Sequence, residues 1–243
     1  LRQPQRAAYW STAREAVAAL GPEQRAGLEL RDLAVVVATS RHHPEWLPLT
    51  TDQLANRIDA ELSSPSAGRT HTLDFEGWAG DFPQTFRKWR SKLRWADMAA
   101  ILLALEATRV EAVRDHLFDY ADRDLKDRTC EYGGIIRLDD QGRYEVVEFR
   151  PRVRGNDERF DAPQDMIDAG YTALFHFHFH ATSVRNGRYA APAQGDMLYA
   201  DSVRANALCF TFIDTGTMNV DFYRHGGVSV DLGEIRRPPS PRS

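Results

Sequence analysis

The chain has 243 residues, 42% of them apolar, 27% charged and 10% aromatic, with 31 basic against 35 acidic side chains and a net charge of −4. This composition suits a folded globular chain of one large or two small domains and excludes a mainly disordered one. The net charge gives no overall attraction for nucleic acid, and no apolar run approaches the roughly 18 residues needed to cross a bilayer. The first residue is Leu1, which reads as a fragment or a processed product. Two cysteines, Cys130 and Cys209, are too few for a disulfide framework or a cysteine-based zinc site, which favours a reducing cytoplasm.

The first half reads as helical. Trp10, Ala13, Val17 and Leu20 keep helical spacing until Gly21-Pro22 interrupts it. Thr50-x-x-Gln53 is a capping box ahead of Leu54, Ile58 and Leu62 on one face. This segment faintly suggests the second helix of a helix-turn-helix, but Arg57 is its lone base. His42-His43 forms an ungrouped, solvated loop pair, and residues 63–70 are a Ser/Pro/Gly loop. One helix is expected over 84–105 and another over 109–124. Within the former, Phe86, Trp89 and Leu93 make an apolar stripe surrounded by bases from Arg87 to Arg94. A solvated face around a core stripe outweighs a phosphate-gripping patch.

Beyond Asp127 the pattern turns to short strand-like runs at 131–138, 144–149, 173–180, 207–213, 218–223 and 228–232, with a helix over 196–204. Residues 236–243 are a Pro/Arg/Ser tail, expected to be disordered. The division is a helical N-terminal domain over 1–107, packed without a long linker on an α/β domain over 108–235.

Phe175-His-Phe-His-Phe-His180 alternates histidine with phenylalanine. On a strand, His176, His178 and His180 share one face and the phenylalanines the other. Two such imidazoles can reach one metal ion, and a catalytic zinc needs a third ligand and a base from elsewhere. Asp196, on a turn running into the next helix, is the candidate ligand, although an Asp at a helix start is commonly a cap. Asp201 is a second choice. Glu131 is the candidate base; the following Gly133-Gly134 signals a close backbone approach or a bulge. Cys130, beside it, reads better as a small buried residue than as a metal contact.

Glu131-Tyr-Gly-Gly134-Ile-Ile136, His178-Phe-His180-Ala181 and Pro192-Ala193-Gln-Gly-Asp196 together resemble the JAB/MPN domain of JAMM-type zinc metallopeptidases, over about residues 109–232. The family pattern is Glu-x-x-Gly with a hydrophobic pair, then His-x-His-Pro, then Pro-Ser-x-x-Asp. The resemblance implies an α/β (α+β) fold, a curved mixed sheet with flanking helices, behind the helical domain. It implies zinc on His178, His180 and Asp196, with Glu131 as general acid/base. By the same resemblance the substrate would be a peptide or isopeptide bond, such as that at the C-terminus of a ubiquitin-like protein. Ala193 stands where the family has the Ser that helps hold the oxyanion, Ala181 replaces the Pro, and Asp196 follows His180 by 16 residues, a longer loop than the family's. His176 is an extra histidine and a His176/His178 pair an alternative; Thr182 or Ser183 are candidates for the missing hydroxyl. A metal-holding adaptor that has lost turnover is the alternative function, kept open by Ala193.

Overall fold

A computed structural model describes residues 7–63 and 84–239. The expected loop over 63–70 falls almost wholly outside them, as does the end of the tail. A mostly helical region precedes a mixed six-stranded sheet with flanking helices. The helices are α1 (Ala7–Ala18), α2 (Pro22–Arg25), α3 (Leu33–His42), α4 (Thr51–Glu61), α5 (Phe86–Trp89), α6 (Trp95–Ala107) and α7 (Glu111–Asp124). Then come β1 (Gly133–Leu138), β2 (Tyr144–Phe149), α8 (Gln164–Ala169), β3 (Phe175–His180), α9 (Gln194–Val203), β4 (Ala207–Asp214), β5 (Thr217–Arg224) and β6 (Val228–Arg236). No helix among the described residues is long and apolar enough to cross a membrane.

The capping box at α4 forms in both directions: the Gln53 N–H donates to the Thr50 hydroxyl, and the Thr50 N–H to the Gln53 side chain at 2.8 Å. Leu54, Ala55 and Ile58 then bury against α6. The single helix expected over 84–105 is instead two. Arg94 is extended, and its N–H donates to the Asp97 carboxylate at 2.7 Å, so a new helix starts at Trp95. Phe86, Trp89 and Leu93 are all buried as the stripe requires. Arg90 is committed to Asp59 and Asn56, and Arg94 to Gly27 and Glu29, so the basic run is no continuous free patch. α3, for which the sequence pattern predicts no helix, is buried; burial on most sides removes the amphipathic period that would reveal it. His42 and His43 are half-buried rather than solvated: both meet Glu106, and His43 stacks on Trp46 with ring centroids 3.8 Å apart.

The sheet order is β2-β1-β3-β4-β5-β6, antiparallel throughout except for the parallel β3–β4 pair. Phe175, Phe177 and Phe179 enter a hydrophobic core that runs continuously from α1, α3 and α6 to β6. The histidine face of β3 is also buried, so the strand is enclosed on both sides rather than half exposed. β1 lies close against β3 because it begins with Gly133-Gly134: a Cβ at Gly133 would collide with the Phe177 carbonyl and the Phe160 ring. β6 continues through Arg236, and the Arg237 guanidinium holds Asp122 of α7 with two bonds of 2.8 Å.

Candidate metal centre

Strand register builds the site. His178 pairs across β3 with Gly133 on one side and with Cys209 of β4 on the other. Side chains alternate along a strand, so His178, His180 and Cys209 face the same layer. They form a buried cluster whose ligand atoms lie within 4.8 Å of one another, a group able to hold a metal ion. α9 crosses above. Asp196 is its third residue rather than its cap, and its Oδ2 accepts the Ala193 N–H at 2.6 Å, which ties the carboxylate to the helix start. Glu131 precedes β1 rather than opening it, held by its own N–H on the Arg159 carbonyl at 3.2 Å.

The donor atoms converge. His178 Nε2 and His180 Nε2 are 3.1 Å apart, with Asp196 Oδ1 at 3.2 Å from the former and Oδ2 at 3.5 Å from the latter. Ligands about 2.0–2.1 Å from a tetrahedral ion sit about 3.3 Å from each other, so these spacings fit a small tetrahedral metal ion. The outer nitrogens are committed elsewhere. His180 Nδ1 faces the Tyr189 carbonyl at 2.9 Å, and His178 Nδ1 faces the Tyr223 hydroxyl at 3.3 Å. Such contacts fix ring orientation and leave Nε2 free to ligate. Cys209 Sγ approaches His180 from the Nδ1 side, at 3.4 Å.

These groups shift one another's proton affinity. Burial favours neutral imidazoles, yet Asp196 and Cys209 hold His178 and His180 well above the usual histidine range. Against the same burial, the two imidazoles hold Asp196 well below the carboxylate range, and they bring the Cys209 thiol down to about 6. Glu131 goes the other way: burial pushes it up to about 7, only partly offset by His180 and His178. Glu131, His178, His180 and Asp196 all line one cavity of about 620 Å³, together with Arg152, Arg159 and Phe160.

Other expected residues fall differently. His176 is buried on the same face, but its Nδ1 meets the Tyr199 hydroxyl at 2.6 Å. Burial, with Arg31 adding to it, pulls His176 down to about 3. Ser183 is exposed and accepts the Arg185 N–H, while the Thr182 carbonyl takes an Arg128 bond. Ala193 lines the cavity at the foot of α9. Cys130 is buried beside Thr129, and Asp201 caps the Gly226 N–H at 2.8 Å. Sequence reasoning passed over Cys209 and Tyr223. Their alternation on β4 and β5 was visible, but which strand lies beside β3 is a matter of topology.

Fold and site together define an α+β protein with a buried cluster of metal-ligating side chains opening on a cavity. Comparisons with family models, with curated proteins and with solved structures give no match to this chain.

Proposed function

We propose that this chain is a JAB/MPN-like, zinc-dependent hydrolase of peptide or isopeptide bonds, acting on a protein or peptide substrate such as a ubiquitin-like conjugate. The observation that carries it is the meeting of His178 Nε2, His180 Nε2 and the Asp196 carboxylate at 3.1–3.5 Å in a cavity that also contains Glu131. His178, His180 and Asp196 would hold the ion. When bound, zinc supplies Lewis acidity that polarises a carbonyl and acidifies water. Glu131, poised at about 7, is matched near neutral pH to take a proton on its carboxylate and return it to a leaving amine. Tyr223 and the Tyr189 carbonyl keep the two imidazoles oriented. Ala193 offers no hydroxyl to a developing oxyanion, and loss of one such donor costs about 10²–10³ in rate, so turnover is slow.

A metal-holding adaptor without turnover is the second reading, favoured by Ala193 and by the Cys209 thiol, which with His178 and His180 makes an alternative buried ligand set. The deciding experiment is metal analysis of the purified chain and of His178→Ala, with cleavage of peptide and ubiquitin-like conjugates by wild type and Glu131→Gln at equal zinc occupancy. About one zinc per chain, lost in His178→Ala, and hydrolysis lost in Glu131→Gln support the enzyme. Zinc retained in His178→Ala overturns the ligand set, equal cleavage in wild type and Glu131→Gln overturns Glu131 as the base, and no cleavage in either favours the adaptor.

A further inference from the structure

The proposed chemistry leaves one histidine of the β3 motif unused. His176 shares the face of His178 and His180, but its Nδ1 reaches α9, 2.6 Å from the Tyr199 hydroxyl. Tyr199 lies three residues beyond Asp196, just under one helical turn along α9. The other side of the His176 ring is packed tightly: a Cβ at Gly170 would overlap Nε2 and stand 2.9 Å from Arg31 Nη1. Arg31 belongs to the helical half, on a 3-10 turn over Leu30–Asp32, and is itself buried. Its Nε donates to the carbonyl of Val203, the last residue of α9, at 3.2 Å. Its Nη1 donates to the Ile167 carbonyl of α8 at 3.3 Å, and its guanidinium lies 3.9 Å over the Tyr171 ring.

We propose that His176 is a positioning residue for the metal centre: with Tyr199 it is the strut that sets α9, and hence Asp196, over the β3 histidines, while Arg31 braces the far end of that helix from the N-terminal half. The inference rests on the zinc reading above. Asp196 is the one donor of that set not carried by the sheet, so its position depends on how α9 is seated. Met197 and Ala200 of α9 pack against Ala191, Ala207, Cys209 and Tyr223, several of them small, and apolar contact is non-directional. A short hydrogen bond at mid-helix, just under one turn beyond the ligand, and a guanidinium on the last carbonyl, about 6 Å further along, hold the helix at two points. The helical half thereby becomes part of the metal site's support.

The test measures zinc affinity by chelator competition, alongside thermal unfolding of the same proteins stripped of metal. Tyr199→Phe and Arg31→Met should each weaken zinc about 10–100-fold, the range for lost outer support of a ligand. His176→Asn, whose amide can stand at the place of Nδ1, should bind more tightly than His176→Leu. Val230→Ala, a fully buried β6 residue in the core on the other face, controls for lost stability and should leave zinc affinity unchanged. Affinities of Tyr199→Phe and Arg31→Met within about threefold of wild type overturn the proposal, as does an equal loss in Val230→Ala. A wild type that binds no zinc removes the site itself, and the proposal with it.

Discussion

Replacing Arg224 with Met should destabilise the chain more than any surface change, because Arg224 is a buried cation at the seam between the helices and the sheet. It ends β5, is 3% exposed, forms an ion pair with Asp97 of α6, and lies 3.7 Å from Asp32 and 3.6 Å from Glu29. Asp97 and Asp32 are 3% and 1% exposed, so water cannot take over the missing charge. Breaking a buried pair from one side costs about 3–5 kcal/mol, whereas a neutral, apolar replacement of the whole pair is often tolerated. At about 2–4 °C per kcal/mol for a chain of this size, the melting temperature should fall by about 10 °C. Glu29 suffers less, since Arg94, Arg204 and His225 also reach it. Thermal and urea unfolding of wild type, Arg224→Met and Arg224→Met/Asp97→Asn gives the answer. The double variant should recover much of the loss, and wild type should unfold in one transition, because the core runs unbroken across the seam. A loss under about 1 kcal/mol in Arg224→Met would refute the ion-pair reasoning. Two wild-type transitions, only one moved by the substitution, would refute the single cooperative unit.

Zinc affinity should rise with pH through the range where His178 and His180 hold protons, about tenfold per pH unit for each proton displaced; competition titrations showing a flat profile would contradict the protonated pair. Cys209→Ser should keep one zinc per chain, because Asp196 completes the set; loss of zinc in that variant would move the third ligand to the thiol. Glu29 is lowered to about 2, against its burial, by Arg204, His225, Arg224 and Arg94. Its folded-state value lies below its unfolded one, so its contribution is complete above pH about 4.5 and drains away as pH falls toward 2. After discounting for solvent screening this amounts to about 1–2 kcal/mol, and Glu29→Gln should flatten the acid limb of urea midpoints; an unchanged acid slope would rule it out.

Local signals carried much of the structure into the sequence. Alternation alone placed the β3 histidines on one face, and Gly133-Gly134 announced the close approach to β3 that the Phe177 carbonyl enforces. The capping box at Thr50 and Gln53 forms as spaced. What failed was non-local or unpatterned. α3 shows no polar face, and the break at Arg94 is made by Asp97 reaching back, a capping box without Ser or Thr at its head. Glu106, 64 and 63 residues downstream, turns His42 and His43 into partners. The site divided along the same line. The β3 histidines were legible from period two, whereas Cys209 and Tyr223 joined them only through the parallel β3–β4 pairing and the β4–β5 hairpin.

In the proposed centre, holding a metal and turning over a substrate depend on different parts of the same short segment. His180 can offer one nitrogen to an ion, and Nδ1 already faces the Tyr189 carbonyl at 2.9 Å, with Cys209 on that same side. Nε2 is therefore the available donor, and it points to Asp196. Asp196 is pinned by the backbone N–H of Ala193, a bond that any residue but proline would make at that position. In the proposed hydrolase, by contrast, the Ala193 side chain stands where a hydroxyl would act on the substrate. On that proposal, alanine in place of serine there would remove an oxyanion donor and leave the amide that orients the ligand untouched. Turnover can decline along such a route while the ion stays bound, so Ala193→Ser should raise turnover without changing zinc affinity. Faster cleavage at unchanged zinc occupancy supports that separation. A change in zinc affinity would show that the side chain, and not only the backbone, supports the metal, and the two functions would no longer be separable at this residue.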